Sequence, residues 1–132
     1  MAQNKTLTKA PVGSKVAVLG ASPKPDRFSF KAVHLLKEHG FKPIPVHSAG
    51  HSVDGINGVK SLDDIKEPID TLTMYVNAGI SSEQTEQILR LKPRRVIFNP
   101  GAENEKLAQK LEDAGIRVVR HCTLVMLNEG LY

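Results

Sequence analysis

Short apolar runs alternate with longer amphipathic segments along most of the chain. The runs are rich in β-branched residues and are bounded by glycine, proline or polar residues, a pattern typical of strands buried on both faces of a parallel sheet. Pro43 and Pro45 lack the N–H group that an interior strand needs, so the second run is predicted to lie at an edge. The five predicted strands are Lys15–Gly20, Lys42–Val46, Thr71–Val76, Arg95–Phe98 and Ile116–Arg120.

The segments between these runs have apolar residues at helical spacing. Gly40 and Gly115 follow two of them in the position of a helix C-cap. Ser81, with Gln84 three residues later, has the spacing of a capping box and is predicted to open the second long helix. The predicted helices are Phe28–His39, Ser81–Lys92 and Asn104–Ala114, with single helical turns at Ser61–Lys66 and Thr123–Asn128.

Alternating strands and helices predict βαβ units, and right-handed crossovers then cover both faces of the sheet. The fold class is therefore predicted to be α/β, with a five-stranded, mainly parallel sheet between two helical layers. The 132 residues suit one domain. Residues 1–14 are polar and without a clear period, so we predict a flexible N-terminal arm followed by a domain over residues 15–132.

Composition narrows the classes of function. The chain has 18 Lys and Arg against 14 Asp and Glu, and its basic residues are scattered rather than grouped. With 5% aromatic residues and no tryptophan, a stacking platform for nucleic acid is not expected. No apolar stretch approaches the roughly 20 residues of a membrane span, and one cysteine cannot form an internal disulfide. We expect a cytoplasmic protein that binds neither membrane nor nucleic acid.

The loop after the first strand is the first candidate for chemistry, because ligands of parallel sheets lie beyond the carboxyl ends of the strands. Gly20 and Ala21 are small enough to let backbone amides approach a phosphate, and Ser22 offers a hydroxyl group. Arg27 offers a charge-assisted hydrogen bond. The alternative is a tight strand-to-helix turn with a surface arginine. The dinucleotide fingerprint and the Walker A pattern are both absent.

The loop after the second strand begins with His47 and Ser48, where many NAD-binding folds have an acidic residue that holds the ribose. Without that carboxylate, the loop admits a nucleotide that is phosphorylated on its ribose, such as coenzyme A (CoA) or NADP. His47 and His51 have no third ligand nearby, so no metal site is predicted. Small residues near Asn77 and at Asn99–Gly101 are expected to leave the crevice open.

Cys122 follows the last predicted strand and is adjacent to His121. Neighbouring side chains in extended chain point to opposite faces, so a nucleophilic pair is not expected. Apolar residues on both sides predict a packed, structural thiol. No catalytic residue is predicted.

Taken together, these loops resemble a known family. The segment VAVLGASPKPDRFSFKAVHLLKEHGFKPIPVHS resembles the opening of the stand-alone CoA-binding domain proteins. These proteins are similar to the N-terminal CoA-binding domain of the succinyl-CoA synthetase alpha subunit. The resemblance continues through SLDDIKEPIDTLTMYV, FNPGAENEKL and AGIRVVRHCTLVML, so it covers nearly the whole chain after the arm.

The resemblance implies a Rossmann-like domain with CoA, or a related adenine nucleotide, lying across the strand ends. His47 and Ser48 stand where the family commonly has Asn-Pro. The synthetase's phosphohistidine loop and further domains have no counterpart here, so acyl-CoA synthesis by this chain alone is not expected. The residues that match the family's binding positions are Gly20, Ala21, Ser22, Arg27, Val46, His47, Ser48, Val76, Asn77, Asn99, Pro100 and Gly101.

The sequence therefore predicts a small cytoplasmic protein that binds CoA or an acyl-CoA and has no catalysis of its own. It does not identify a protein partner. One alternative is a small enzyme or redox protein that uses NADP or a CoA thioester, with Cys122 or a loop histidine as the reactive group. Another is a regulatory subunit whose nucleotide site has decayed.

Overall fold

The structure, a computed structural model, describes residues 9–132. Five strands form one sheet in the order β2-β1-β3-β4-β5, and every neighbouring pair is parallel. The predicted α/β fold is confirmed, and the proline-containing strand lies at an edge as expected. The strands are β1 (Lys15–Leu19), β2 (Lys42–Val46), β3 (Thr71–Met74), β4 (Arg95–Phe98) and β5 (Arg117–Arg120).

Helices cover both faces of this sheet. The first and last helices pack on one face, and the helices between them, with a short 3-10 turn at Leu62–Asp64, pack on the other. None of the helices in residues 9–132 is long and apolar enough to cross a bilayer. The helices are α1 (Phe28–Glu38), α2 (Ala78–Glu83), α3 (Thr85–Leu91), α4 (Glu105–Asp113) and α5 (Thr123–Asn128).

The alternation of side chains along β1 supplies both halves of the core. Val16 and Val18 belong to the apolar cluster that includes α1 and α5, whereas Ala17 and Leu19 belong to the cluster on the opposite face. This period of two is the geometry of any strand. Helices cover both faces of the sheet at β1, so side chains on both sides of the strand are buried. This is why the sequence of β1 is a continuous apolar run and not an alternation of apolar and polar residues.

The second long helix differs from the prediction. It begins at Ala78 rather than Ser81, because Asn77 precedes it and its side chain accepts a hydrogen bond from the N–H of Ile80. Asparagine is a strong N-cap, and Asn77 stands four residues before the serine. The helix also breaks at Gln84, where α2 ends and α3 begins.

A buried arginine lies at the amino end of β4. Arg95 is fully buried, donates from Nε to Oγ1 of Thr71 (2.7 Å), and donates from Nη2 to the backbone oxygen of Tyr132 (3.3 Å). Its guanidinium also lies 4.3 Å from the centre of the Tyr132 ring. A buried charge is tolerated only when hydrogen bonds and other favourable contacts replace those it would make with water, as the contacts of Arg95 do.

The residues that precede β1 contact the same part of the domain, next to Tyr132. Ala10 donates its N–H to the backbone oxygen of Tyr132 (2.7 Å) and packs against the core cluster on the α1 side. Residues 9–14 therefore contact the domain. The rest of the predicted flexible arm, residues 1–8, lies outside the described residues.

Asp70 directly precedes β3, at the amino ends of the strands, and its carboxylate is partly buried. Burial by itself raises its pKa, but hydrogen bonds from Arg94 (2.8 Å) and from the hydroxyl of Thr71 (2.7 Å) outweigh that effect and hold the pKa of Asp70 below its ordinary value. A carboxylate whose pKa is lower in the folded state stabilises the fold above its unfolded pKa. This stabilisation is lost as the pH falls through the folded pKa.

Asp70→Asn is therefore expected to lower the free energy of unfolding at neutral pH, and its deficit relative to the wild type should shrink as the pH falls from neutral through the lowered pKa of folded Asp70. Urea unfolding across this range measures the deficit. Asp26→Asn, at an exposed carboxylate, is the control and should run parallel to the wild type. A loss of unfolding free energy in Asp70→Asn that stays constant with pH would show that the pKa of Asp70 is not lowered in the folded protein.

Candidate functional site

The carboxyl ends of the strands carry a depression at the point where the strand order reverses. β2 pairs with one side of β1, and β3 pairs with the other side. The connection from β1 to β2 therefore runs across the sheet in the opposite direction to the connection from β2 to β3, and the strand order reverses between β1 and β3. Open parallel sheets bind their ligands at this point. A pocket of about 250 Å³ lies there, and we call it the main crevice. It is lined by Leu19, Gly20, Val46, His47, Ser48, Lys60, Ser61, Val76, Ile80, Gln84 and Gln87.

Five of the residues predicted from sequence line the main crevice. They come from three strand ends that are distant along the chain, which the sheet order brings side by side. They are Gly20, Val46, His47, Ser48 and Val76.

Gly20 is required by the backbone at this point. Its φ is +87°, and a Cβ atom there would lie 2.7 Å from the backbone oxygen of Tyr75 and 2.7 Å from Cγ1 of Val76. A larger residue would therefore push the β1 loop away from the end of β3. Substitution of Gly20 changes the fold locally as well as any ligand contact, so it is a poor test of binding.

The backbone amides after β1, which the sequence suggested for approach to a phosphate, donate to partners within the protein. The N–H groups of Gly20 and Ala21 both point to the backbone oxygen of Val46, at 2.9 and 3.3 Å. The N–H of Ser22 donates to Oγ of Ser29 (3.0 Å). These amides already have partners, and the side chain of Ala21 is buried in the core. The next element in the chain offers N–H groups that have no partners within it.

That element is the start of α1, beside a second depression of about 240 Å³. Arg27 occupies the N-cap position, and no side chain caps the helix there. The first-turn N–H groups of a helix have no partner within it, and together with the helix dipole they favour an anion. We call this depression the helix-side crevice. It is lined by Gly20, Ser22, Arg27, Phe28, Ser29 and Tyr75.

Gly20 lines both crevices, so the two depressions adjoin at the end of β1. The Arg27 side chain is 59% exposed, and its nearest carboxylate, that of Asp26, lies 3.8 Å away. No acidic residue occupies the first turn of α1. The helix-side crevice therefore presents positive charge to solvent.

Asn77 and the turn after β4 lie outside both crevices. The side-chain oxygen of Asn77 accepts from Ile80 as the cap of α2, at 3.0 Å. Pro100 and Gly101 are exposed in the turn that follows β4. Ligand contacts at these three positions stay predictions.

Asn99 is committed to contacts within the protein. Its side chain is 2% exposed, and its amide nitrogen donates to the hydroxyl of Thr73 (2.7 Å) and to the backbone oxygen of Met74 (2.8 Å). Its side-chain oxygen accepts from the N–H of Thr123 (2.8 Å). Asn99 therefore joins β3, β4 and α5 beneath the carboxyl edge.

The loop between β2 and the 3-10 turn supplies residues that sequence reasoning missed. Val59 forms a parallel bridge with Val46, and its backbone oxygen accepts from the N–H of His47 (3.0 Å). The chain thus returns to the carboxyl end of β2 before Lys60 and Ser61, and it places both in the main crevice. No local pattern around Lys60 indicates this return.

His47 has a defined tautomer. Its Nδ1 accepts a hydrogen bond from the N–H of Ala49 (3.0 Å), which leaves the ring hydrogen of a neutral imidazole on Nε2. The His51 ring lies 4.5 Å away, centre to centre. Within residues 9–132 no group of three metal-ligating side chains occurs.

The same loop is fastened to α1 through Asp54, a residue with φ of +51°. Its carboxylate accepts from Lys37 (2.9 Å) and pairs with Nδ1 of His34 (2.8 Å). The hydrogen bond to Asp54 raises the pKa of His34, and Glu38 adds to this rise. The loop that lines the main crevice is therefore held at its far end.

Cys122 is only partly buried, which differs from the packed thiol predicted from the sequence. It stands at the N-cap position of α5, and its N–H donates to Nδ1 of His121 (2.7 Å). That histidine nitrogen is engaged by the backbone, so in this arrangement it does not take a proton from the thiol. Burial raises the pKa of the nearby Tyr75 phenol, which therefore stays protonated at neutral pH.

This fold and the position of its crevices define a Rossmann-like α/β domain with a site at the switch between β1 and β3. The chain belongs to the CoA binding domain family, whose model matches residues 14–128. The Bacillus subtilis (strain 168) protein YneT is 28% identical over 105 residues, which are 80% of this chain and 78% of YneT.

Solved structures share this fold. The crystal structure of an uncharacterized protein shares 41% identity and a TM-score of 0.87, covering 92% of this chain and 100% of that one. Cell-free ID.343 from Thermus thermophilus shares 30% identity and a TM-score of 0.83, covering 91% of each chain.

Proposed function

We propose that this protein binds CoA or an acyl-CoA across the carboxyl ends of β1, β2 and β3, without catalysis of its own. The observation that carries the proposal is the position of the paired crevices at the switch point, with an uncapped helix beginning in one of them. Membership of the CoA binding domain family supports the ligand class. A cytoplasmic location stays part of the proposal.

The diphosphate fits the helix-side crevice. The first turn of α1 offers N–H groups, and Arg27 adds an exposed cation whose Nε lies 3.8 Å from the carboxylate of Asp26. The adenosine end then extends towards the main crevice, where His47, Ser48 and Val76 line the walls. This orientation uses the two depressions as one site.

Native mass spectrometry of the protein purified without added ligand tests the proposal, followed by calorimetric titration with CoA. We expect co-purified CoA or acyl-CoA, or saturable binding of added CoA. Absence of both would refute the proposal. CoA-thioester turnover that disappears in Cys122→Ser would instead support the enzyme alternative.

Arg27→Ala is expected to weaken CoA binding about tenfold, or about 1.5 kcal/mol. This value is at the low end for a hydrogen bond to a charged group, because Arg27 is 59% exposed. Titration at low and high salt should show a shallower salt dependence for the variant.

The matched control is Arg117→Ala, an exposed arginine at the amino end of β5. It removes the same charge far from the crevices and should leave the affinity within about twofold. Equal losses for the two variants would show that Arg27 acts only through net charge.

A further inference from the structure

The main crevice contains a cation that no ligand assignment uses. Lys60 lines it, and no aspartate or glutamate is among the lining residues. The part of the chain that the structure describes gives Lys60 no carboxylate partner. A lysine of this kind is an electrostatic site for an anion.

The backbone fixes where Lys60 emerges. The bridge between Val46 and Val59 joins the returning loop to the end of β2, and the next residue is Lys60. The N–H of Gly50 donates to the backbone oxygen of His47 (2.7 Å), which closes a turn over the same strand end. Lys60 therefore starts from an anchored position beside His47.

The stem of Lys60 is also guided. It passes over Gly50, where an added Cβ would lie 3.0 Å from Cγ of Lys60 and 3.5 Å from its Cε. Gly50 has a φ of +66° and leaves the space through which the stem runs. Lys60 is exposed, and the start of its stem lies against Gly50.

Polar side chains line the same crevice as Lys60. Nδ1 of His47 accepts from the N–H of Ala49, so Nε2 is the ring nitrogen that can donate. The hydroxyls of Ser48 and Ser61 line the same crevice. A cation with neutral donors and without a carboxylate suits a phosphate monoester, which carries about −1.5 to −2 charges at pH 7.

We propose that Lys60, assisted by His47, recognises a phosphate monoester on the ribose of the bound nucleotide. This inference rests on the proposed function and adds a specificity residue to it. The diphosphate is assigned to the helix-side crevice, so the ribose phosphate is the remaining strong anion of CoA. The same chemistry occurs on the ribose of NADP, and the experiment separates the two sources.

The test compares CoA with dephospho-CoA, and NADP with NAD, by calorimetric titration of the wild type and Lys60→Met. Lys60→Met should weaken CoA binding roughly ten- to a hundredfold and leave dephospho-CoA within about twofold. Lys106→Met, an exposed lysine on α4, removes the same charge elsewhere and should change neither affinity more than about twofold. Arg27→Ala should weaken CoA and dephospho-CoA alike.

The outcomes are separable. Equal wild-type affinity for CoA and dephospho-CoA, without a preference for NADP over NAD, would overturn the role of Lys60 while the proposed function stands. Equal loss of CoA and dephospho-CoA in Lys60→Met would also overturn it. A Lys60-dependent preference for NADP over NAD, without CoA binding, would support ribose-phosphate recognition and refute CoA as the ligand. Binding of none of the four nucleotides would refute both proposals.

Discussion

Replacing Tyr132 with alanine is expected to lower the free energy of unfolding by about 3 to 5 kcal/mol. The Tyr132 ring is buried, packs edge-to-face with Phe41 (4.8 Å between centres), and covers the guanidinium of Arg95 at 4.3 Å. The truncation therefore removes a core aromatic ring and opens a cavity beside a buried charge. Urea or thermal unfolding measures the loss.

The neighbouring residue provides the control. Leu131 is 46% exposed, so Leu131→Ala removes an apolar side chain at the same end of the chain with an expected cost of about 0.5 kcal/mol or less. A loss below about 1 kcal/mol for Tyr132→Ala would show that water replaces the ring around Arg95 at little cost.

Asn99→Ala is expected to cost about 2 to 4 kcal/mol of stability in the absence of any ligand. The change removes three hydrogen bonds at once, because Asn99 donates to Thr73 and Met74 and accepts from the N–H of Thr123. These partners are buried, so water does not readily replace the amide. Chemical unfolding of the free protein gives the number.

Asn128→Ala is the comparison, since Asn128 is an exposed residue at the end of α5. It should change stability by less than about 0.5 kcal/mol. If Asn99→Ala unfolds like the wild type and only loses CoA affinity, Asn99 contacts the ligand and the structural assignment is wrong.

The fold was predictable because its signals are local. Apolar runs such as β1 are buried on both faces, and Pro43 and Pro45 of β2 already indicate an edge. The helix that follows β3 was less predictable, because two cap residues compete. Asn77 begins it instead of Ser81, and a one-residue break at Gln84 has no periodic signature.

The site was predictable where residues follow a strand directly. Gly20 and His47 come straight after β1 and β2, and parallel pairing brings the strand ends together. Lys60 was not predictable, because the loop that carries it back to β2 has no periodic pattern that marks the return. The hydrogen bonds of Gly20 to Val46 were equally hidden, since a sequence does not show which amides already have partners.

The buried Arg95 and its tyrosine cover lie at the amino edge of a sheet whose strands have four or five residues, so roughly 13 Å or more of strand separates them from both crevices. Sites that far apart usually contribute additively to stability. Thermal tolerance can therefore be engineered at the Arg95 corner while nucleotide preference is altered at Lys60, and neither change should require compensation by the other.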